Sequence, residues 1–486
     1  PFLTRSLRLG GVKRSNSPPS GERNGEFSPP ALARRRSELL MRNDTRHLGQ
    51  GLCPDGATRL PRSFSLGGSP ALVKKWNFAN KQDGKRRREE RRGRYRFRSA
   101  LRPLLGDLVR AGSRGKERYD AGAGARNSFG FCGLSADYLP ASPAIEVRSH
   151  GLERRASVKR VSTCSNAWVC PCCSPRIRSL RASEVEQATT QHLANGGGLA
   201  FLTLTVRHGK GDTLEELRRG ISGAWSRVQA SRTWRKLRDS GQVVGVVRAW
   251  DMTYSQTNGF HPHLHLLVFF ESVPATSEVL ALQRFLTVEW AESVRVKLGE
   301  ARVPSSRRGV DFVAVGRTAG DAGAVSSYLA KVSGSAGLSA ELLNPASAKV
   351  ARPRPGGRGL SVWELLALAV EGEAWAVRAS RELFEGVRGV YVVSWSRGLK
   401  KRFGIGEVAD EDAPDPDAPE GSLLVEEVPL PADILTHLNA SPEGVSPLLD
   451  LAERKGVPAL KRRIEELTGQ VRNHPPPRVR ELVRSG

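Results

Sequence analysis

Residues 259–270 read GFHPHLHLLVFF, with histidine at alternate positions 261, 263 and 265 ahead of an apolar run. The chain has nine histidines in 486 residues, so three within five positions is a local concentration. Alternation of this kind is the period of a β-strand, in which residues i and i+2 point to one face. His263 and His265 therefore share a face, while Leu264, Leu266 and Val268 point to the core. Pro262 lacks an N–H, which suits the first residues of a strand better than its middle.

The preceding run, GQVVGVVRAWDMTYS, reads as a second strand, and QTNG supplies turn chemistry between the two. Across that turn Asp251 is expected near residue 264 or 265, and placing it opposite His265 requires a bulge or a different loop length. Two imidazoles and a carboxylate on one face are a ligand set for a divalent cation with positions left open for substrate. The competing reading is a polar sheet face with solvated histidines.

On either side of this hairpin the elements alternate. SPRIRSLRASEVEQATTQHLANGGG is a helix with a glycine stop, and GLAFLTLTVRH is a strand. TLEELRRGISGAWSRVQASRTWRKL has helical period, as does SEVLALQRFLTVEWAESVRVKL. VDFVAV is a short strand, AGAVSSYLAKVSG a helix, and residues 361–404 add the helix SVWELLALAV and the strand GVYVVSWS. The order β-α-β-β-α-β-α predicts an α+β fold, a central antiparallel sheet with flanking helices lying on one face.

Around this domain the composition shifts. Residues 1–130 are rich in Ser, Gly, Pro and Arg and predict a mostly disordered basic region, with the run from Lys85 to Arg98 either a DNA-binding arm or a solvated tail. The chain opens PFLTRSLRLG, and its methionines are Met41 and Met252, so residues 1–40 are read as upstream frame or as following a lost non-standard start. Residues 131–180 form a cysteine-rich segment, 181–405 the main domain, 406–430 an acidic Pro-rich linker and 431–486 a helical C-terminal tail.

Four of six cysteines fall within ten positions: Cys164, Cys170, Cys172 and Cys173. Cys164-x5-Cys170-x2-Cys173 suits a structural Zn²⁺ site of the zinc-ribbon kind, with Cys132 or His150 reaching in from upstream as fourth ligand. Cys53 has no assigned role.

The formal charge is +26, from 76 Lys and Arg against 50 Asp and Glu, which favours a polyanionic partner, nucleic acid before membrane. No stretch reaches the roughly 18–20 apolar residues of a membrane span and no secretory pattern is present, so a cytoplasmic protein is expected.

Tyr328, in SSYLAKV, is a candidate nucleophile for phosphorus, and Lys331 shares its helical face to neutralise phosphate charge. FLTLTV, HPHLHLL and YLAKV, in that order, resemble the HUH endonuclease domain of plasmid rolling-circle replication initiators. CSNAWVCPCC before them and VYVVSWSRGLKKRFGI after them resemble the branch found on plasmids of high-GC actinobacteria, so the resemblance covers about residues 160–405. It implies a ferredoxin- or RRM-like sheet, and a metal-dependent nick in a single-stranded origin loop. Tyr328 would become linked to the 5′ phosphate, leaving a 3′-OH primer. The metal, Mn²⁺ or Mg²⁺, would sit on His263, His265 and Asp251, and Arg207 and Lys331 would contact DNA.

Some relatives carry a glutamate four residues before the tyrosine; here that position is Ala324, and Asp321 is the candidate substitute. A host helicase is a candidate partner of the tail. Two rivals stand beside this reading. One is an HUH transposase or relaxase, although many relaxases place the tyrosine before the histidines. The other is a non-catalytic zinc-containing nucleic-acid binder.

Overall fold

The hairpin that carries the histidines is the centre of the larger sheet. The computed structural model describes residues 83–105, 129–134, 142–151, 153–306, 308–314, 359–415 and 421–473. All of them fall within the unit Ser63–Gly486; the other unit, Pro1–Arg62, lies outside the described residues. The elements in chain order are α1 (Asp83–Leu105), β1 (Ala144–His150), β2 (Glu153–Lys159), α2 (Cys173–Ala194), β3 (Gly198–Leu204), α3 (Leu214–Ala230) and α4 (Arg232–Asp239). The hairpin strands β4 (Val243–Ser255) and β5 (Gly259–Phe270) follow, then α5 (Thr276–Leu298), β6 (Val310–Ala314), β7 (Leu360–Ser361), α6 (Val362–Val370) and α7 (Ala374–Gly386). The chain continues with β8 (Val393–Trp395), α8 (Leu399–Arg402), β9 (Leu423–Pro429), α9 (Ala432–Ala440), α10 (Ser446–Lys455) and α11 (Val457–Asn473).

Two antiparallel sheets result, and the fold is α+β. The larger has the order β6-β3-β5-β4-β7, with β8 also paired to β4. The β4–β5 turn holds three residues, Gln256, Thr257 and Asn258, and closes on Gly259 at φ +74°, a left-handed position that glycine adopts without a Cβ penalty. This loop length sets the register. Asp251 stands opposite His263, and no bulge intervenes between it and the turn; the shift in this ladder lies at Val243/Gly245. The sequence expectation, one or two residues further along β5, came from counting a longer loop.

Every residue of β5 from Leu264 to Phe270 is buried, both those on the histidine face and those opposite. Both faces of the sheet are therefore covered, whereas the order of elements alone predicts helices on one. On the histidine face, α2 brings the His192 ring against Phe269 with centroids 5.1 Å apart, and His192 Nε2 bonds the carbonyl of Phe270 at 2.8 Å. α3 and α5 pack on each other and reach β5 and β6 respectively. Thr213 and Glu216 form a reciprocal cap at the start of α3, the Thr-x-x-Glu pattern legible in TLEE.

The smaller sheet, β2-β1-β9, joins the cysteine-rich segment to the far end of the chain. Its core is separate from the first: Ile145 and Val147 of β1 pack with Val428, Ile434, Leu449, Leu460 and Ile464. Thus β9 occupies part of the predicted linker, and the predicted tail packs as α9–α11 against the sheet.

The run from Lys85 to Arg98, expected as an arm or a solvated tail, is also built in. α1 is a helix whose arginines meet buried acids of α10: Arg91 reaches Asp450 at 2.6 Å and Glu453 at 2.8 Å, and Arg92 reaches Asp450 at 2.5 Å. Composition suggests disorder for this run because its apolar content is low; the compensating charges lie some 360 residues away, where no local pattern can signal them. Burying Arg91 disfavours its charge, but Glu453 and Asp450 outweigh that and raise its pKa. Arg91→Ala would strand buried carboxylate, at a cost of about 3–5 kcal/mol. A lowered urea midpoint is the expected result, and an unchanged one would show that α1 does not brace the C-terminal helices.

Candidate functional site

Register and hydrogen bonding bring three predicted ligands together. On β5, His263 Nδ1 lies 3.9 Å from Asp251 Oδ2, and His265 Nε2 lies 3.9 Å from the same oxygen. Asp251 Oδ1 accepts the Met252 N–H at 2.8 Å, which fixes the carboxylate's orientation. Behind them, Thr203 of β3 stands directly opposite His265, and its Oγ1 is 3.1 Å from His265 Nδ1. In the tautomer with Nδ1–H donated to Thr203, Nε2 presents its lone pair towards Asp251, the outer-shell arrangement that orients metal-binding histidines.

His263 Nδ1 and His265 Nε2 each lie 3.9 Å from one Asp251 oxygen, so a cation beside that oxygen would be in reach of both rings. The donor set, two nitrogens and a hard oxygen, fits a divalent ion such as Mn²⁺. His265 is nearly fully buried, while His263 and Asp251 retain some exposure, so the site is backed by protein and open on one side.

The rings continue in a file. His261 stacks on His208 with centroids 4.2 Å apart and lies 4.0 Å from His263, while Phe201 stacks on His265 at 5.4 Å. Burial, with His208 beside it, pushes the His261 pKa down to about 4 against a smaller opposing pull from Asp251. Burial likewise lowers His208. Both are therefore neutral near pH 7 and serve as a stacked wall. Sequence reading missed His208 and Thr203, although Thr203 falls within FLTLTV at the period that faces the histidines. Arg207, the predicted DNA contact, is exposed next to His208, with its backbone N–H donated to Arg302 O at 3.0 Å. Tyr328, Lys331, Asp321 and Ala324 lie outside the described residues.

The cysteines form a second centre. Cys132, Cys164, Cys170 and Cys173 are all buried, with their sulfurs all within 4.8 Å of one another, and among the described residues they are the one such metal-binding cluster. Measured pairs are 3.6 Å for Cys132–Cys173, 3.7 Å for Cys132–Cys170 and 3.7 Å for Cys164–Cys173. Tetrahedral Zn–S bonds of about 2.3 Å would place sulfurs about 3.8 Å apart. Cys132 thus takes the position for which the sequence offered Cys132 or His150.

Without a cation the four thiols cannot ionise together. Hydrogen bonds from Cys164, Cys170 and Cys173 pull the Cys132 thiol well down, while burial pushes Cys164 and Cys170 well up. α1 supplies the counter-charge. Arg102 Nη2 donates to Cys132 O at 2.7 Å, and Arg98 keeps a raised pKa despite burial because Cys172 and Cys132 lie near it. Two arginines beside four sulfurs offset the two negative charges that a zinc tetrathiolate carries.

A sheet with a polar histidine face behind a cysteine centre is the setting in which the comparisons fall. Residues 155–293, from β2 into α5, match a family described as replication protein. That stretch includes His263, His265, Asp251 and three of the clustered cysteines, and the resemblance to plasmid replication initiators stands. "Protein rep" of Streptomyces lividans is 27% identical over 309 residues, 52% of this chain and 66% of the relative. "Protein rep" of a Bacillus species is 36% identical over 106 residues, 21% of this chain and 32% of that one. A "Neomycin resistance protein" of Streptomyces cyanogenus is 28% identical over 129 residues, 22% of this chain and 30% of that one. The chain thus spans less than two thirds of the length of each. No solved structure matches.

Thr203→Val is expected to weaken Mn²⁺ binding about 10-fold, by loss of the outer-shell bond to His265. Titration calorimetry with and without the substitution checks this, and equal affinities would remove Thr203 from the site. At the other centre, elemental analysis should find stoichiometric zinc in the wild type and its loss in Cys170→Ser; retention of zinc there would place it elsewhere.

Proposed function

We propose that this protein initiates plasmid rolling-circle replication by nicking a single-stranded origin loop through Tyr328, with a divalent cation at His263, His265 and Asp251 and a structural Zn²⁺ at the four cysteines. The observation that carries the reading is the convergence of two β5 imidazoles on one Asp251 oxygen, within the segment that matches replication proteins.

A cation held there supplies Lewis-acid polarisation of a phosphoryl oxygen. The chain's own groups do the rest. Tyr328 Oη forms a bond to phosphorus as the bond to the 3′ oxygen breaks; the tyrosine proton is lost and the departing oxygen takes up a proton to become the 3′-OH primer. The phosphotyrosine conserves the energy of the broken ester, so the strand can be rejoined without a further energy source. Lys331 and Arg207 offset phosphate charge. Asp321 is assigned the water-activating role that Ala324 cannot perform.

The test is a labelled origin hairpin incubated with the full chain and Mn²⁺, followed by denaturing electrophoresis. A denaturation-resistant protein–DNA adduct is expected, abolished in Tyr328→Phe and by chelation with EDTA. Nicking by Tyr328→Phe equal to wild type would exclude this nucleophile. Salt-sensitive binding of a verified origin with no adduct would identify a non-catalytic binder instead.

A further inference from the structure

Beside the histidine face lies a cleft of about 960 Å³ that the proposed chemistry does not use. Its walls are the loop that leads into the cysteine centre (Ser165, Asn166, Trp168), the strand β8 with the residues before it, and the segment at Glu407–Glu411. The volume is that of a small-molecule site. The contents are aromatic and mixed polar rather than uniformly apolar. Tyr391 is 67% exposed, a large solvent exposure for such a ring. Trp395 lines the floor, and its buried indole N–H has no hydrogen-bond partner among the described residues. Ser165 Oγ is similarly buried and unpartnered, and the residue is held at φ +47°, the left-handed region that non-glycine residues rarely adopt.

Sheet register fixes where this cleft stands. β8 pairs with β4, Val393 opposite Ala249 and Trp395 opposite Val247. Ala249 in turn stands opposite His265, and paired residues of antiparallel strands share a face. Val393 and Trp395 therefore lie on the same face as His263, His265 and Asp251. Val393 is two strands from His265, about 10 Å at the usual strand spacing. Trp168 ties the two regions together. Its indole N–H donates to Val390 O at 2.9 Å, and its ring lies beneath Arg178, whose pKa burial lowers to about 10 against a smaller opposing pull from Asp251.

We propose that this cleft holds unpaired nucleobases of single-stranded DNA next to the phosphate at the histidine centre, stacked on Tyr391 and Trp395. The proposal rests on the reading that the histidine face handles single-stranded DNA. Stacking on aromatic faces is how sequence-tolerant binding of single strands is achieved, and the base edges then need donors and acceptors. The charges of the cleft suit a base better than a phosphate run. Lys400 is held by Glu184 and Glu407, each at 3.1 Å, and Arg181 by Glu184 at 2.5 Å and Asp410 at 2.6 Å. Arg388 at the rim is exposed and placed for the backbone, with Glu411 exposed on the opposite segment.

The experiment measures binding of a fluorescein-labelled oligothymidylate to the full chain at fixed salt, without added divalent metal, so that it does not depend on nicking. Tyr391→Ala should weaken binding by about 5- to 100-fold, and Tyr391→Phe, which keeps the ring, should stay within about twofold of wild type. Ultraviolet cross-linking of an iodouracil-substituted strand should map to the peptide containing Tyr391 and Trp395. Unchanged affinity in Tyr391→Ala, or cross-links only outside this peptide, would overturn the proposal even if nicking at the origin is observed. Occupation of the cleft by another segment of this chain would appear as Tyr391 shielded from the strand, and would overturn it too. Conversely, cross-linking at Tyr391 in a protein that fails to nick would leave the cleft assigned and remove only the catalytic reading.

Discussion

The pairing of β4 with β5 is the constraint on which the other features depend. A three-residue turn closed by Gly259 puts Asp251 opposite His263, and from that one register the rest follows by alternation. The same ladder sets Ala249 opposite His265 and so carries β8 onto the histidine face, while β3 on the other side brings Thr203 behind His265. A slip of one residue would turn Asp251 to the opposite face and dismantle the ligand set. Burial of both faces of β5 from Leu264 onwards makes such a slip costly, since it would exchange imidazoles for leucines in a packed interior.

The cysteine centre does for the loops what the ladder does for the strands. Its sulfurs come from a segment after α1, from the loop before α2 and from the first residue of α2 itself. Those pieces carry little regular hydrogen bonding of their own. Holding four sulfurs to one point fixes Trp168 against Val390 and Arg178, and so connects the loop to the sheet face where Asp251 lies. The centre takes no part in the proposed chemistry and yet shapes the ground beside it.

What was legible in the sequence was what is local or periodic. The strand period of His263 and His265, the CxxC core and the Thr-x-x-Glu start of α3 each involve neighbours in the chain. The position of Asp251 was misjudged because it depends on three turn residues whose conformation the letters QTNG do not fix. α1 gives no local sign of its packing, neither as arm nor as tail, because its partners Asp450 and Glu453 are distant, and an arginine-rich run looks the same whether its charges meet water or buried acids. β9 falls in the stretch that its acidic, Pro-rich composition marks as a linker, and with Val428 its one well-buried residue the alternation of a core strand is faint.

These internal partnerships bear on which of the cations behind the net charge of +26 are free to meet a polyanion. Arg91, Arg92, Arg96, Arg98 and Arg102 of α1 bond within the fold, as do Arg178 and Arg181 of α2. Arg91, Arg92, Arg96 and Arg181 meet carboxylates, and a guanidinium so paired contributes little to the salt-dependent part of binding. Exposed cations such as Arg207 and Arg388 remain available to a polyanion, and the net excess of +26 already counts every acid that the paired arginines meet. On the proposed reading, stacking and a bound cation would add to that attraction, and both lie on the one sheet face that the β4–β5 register defines.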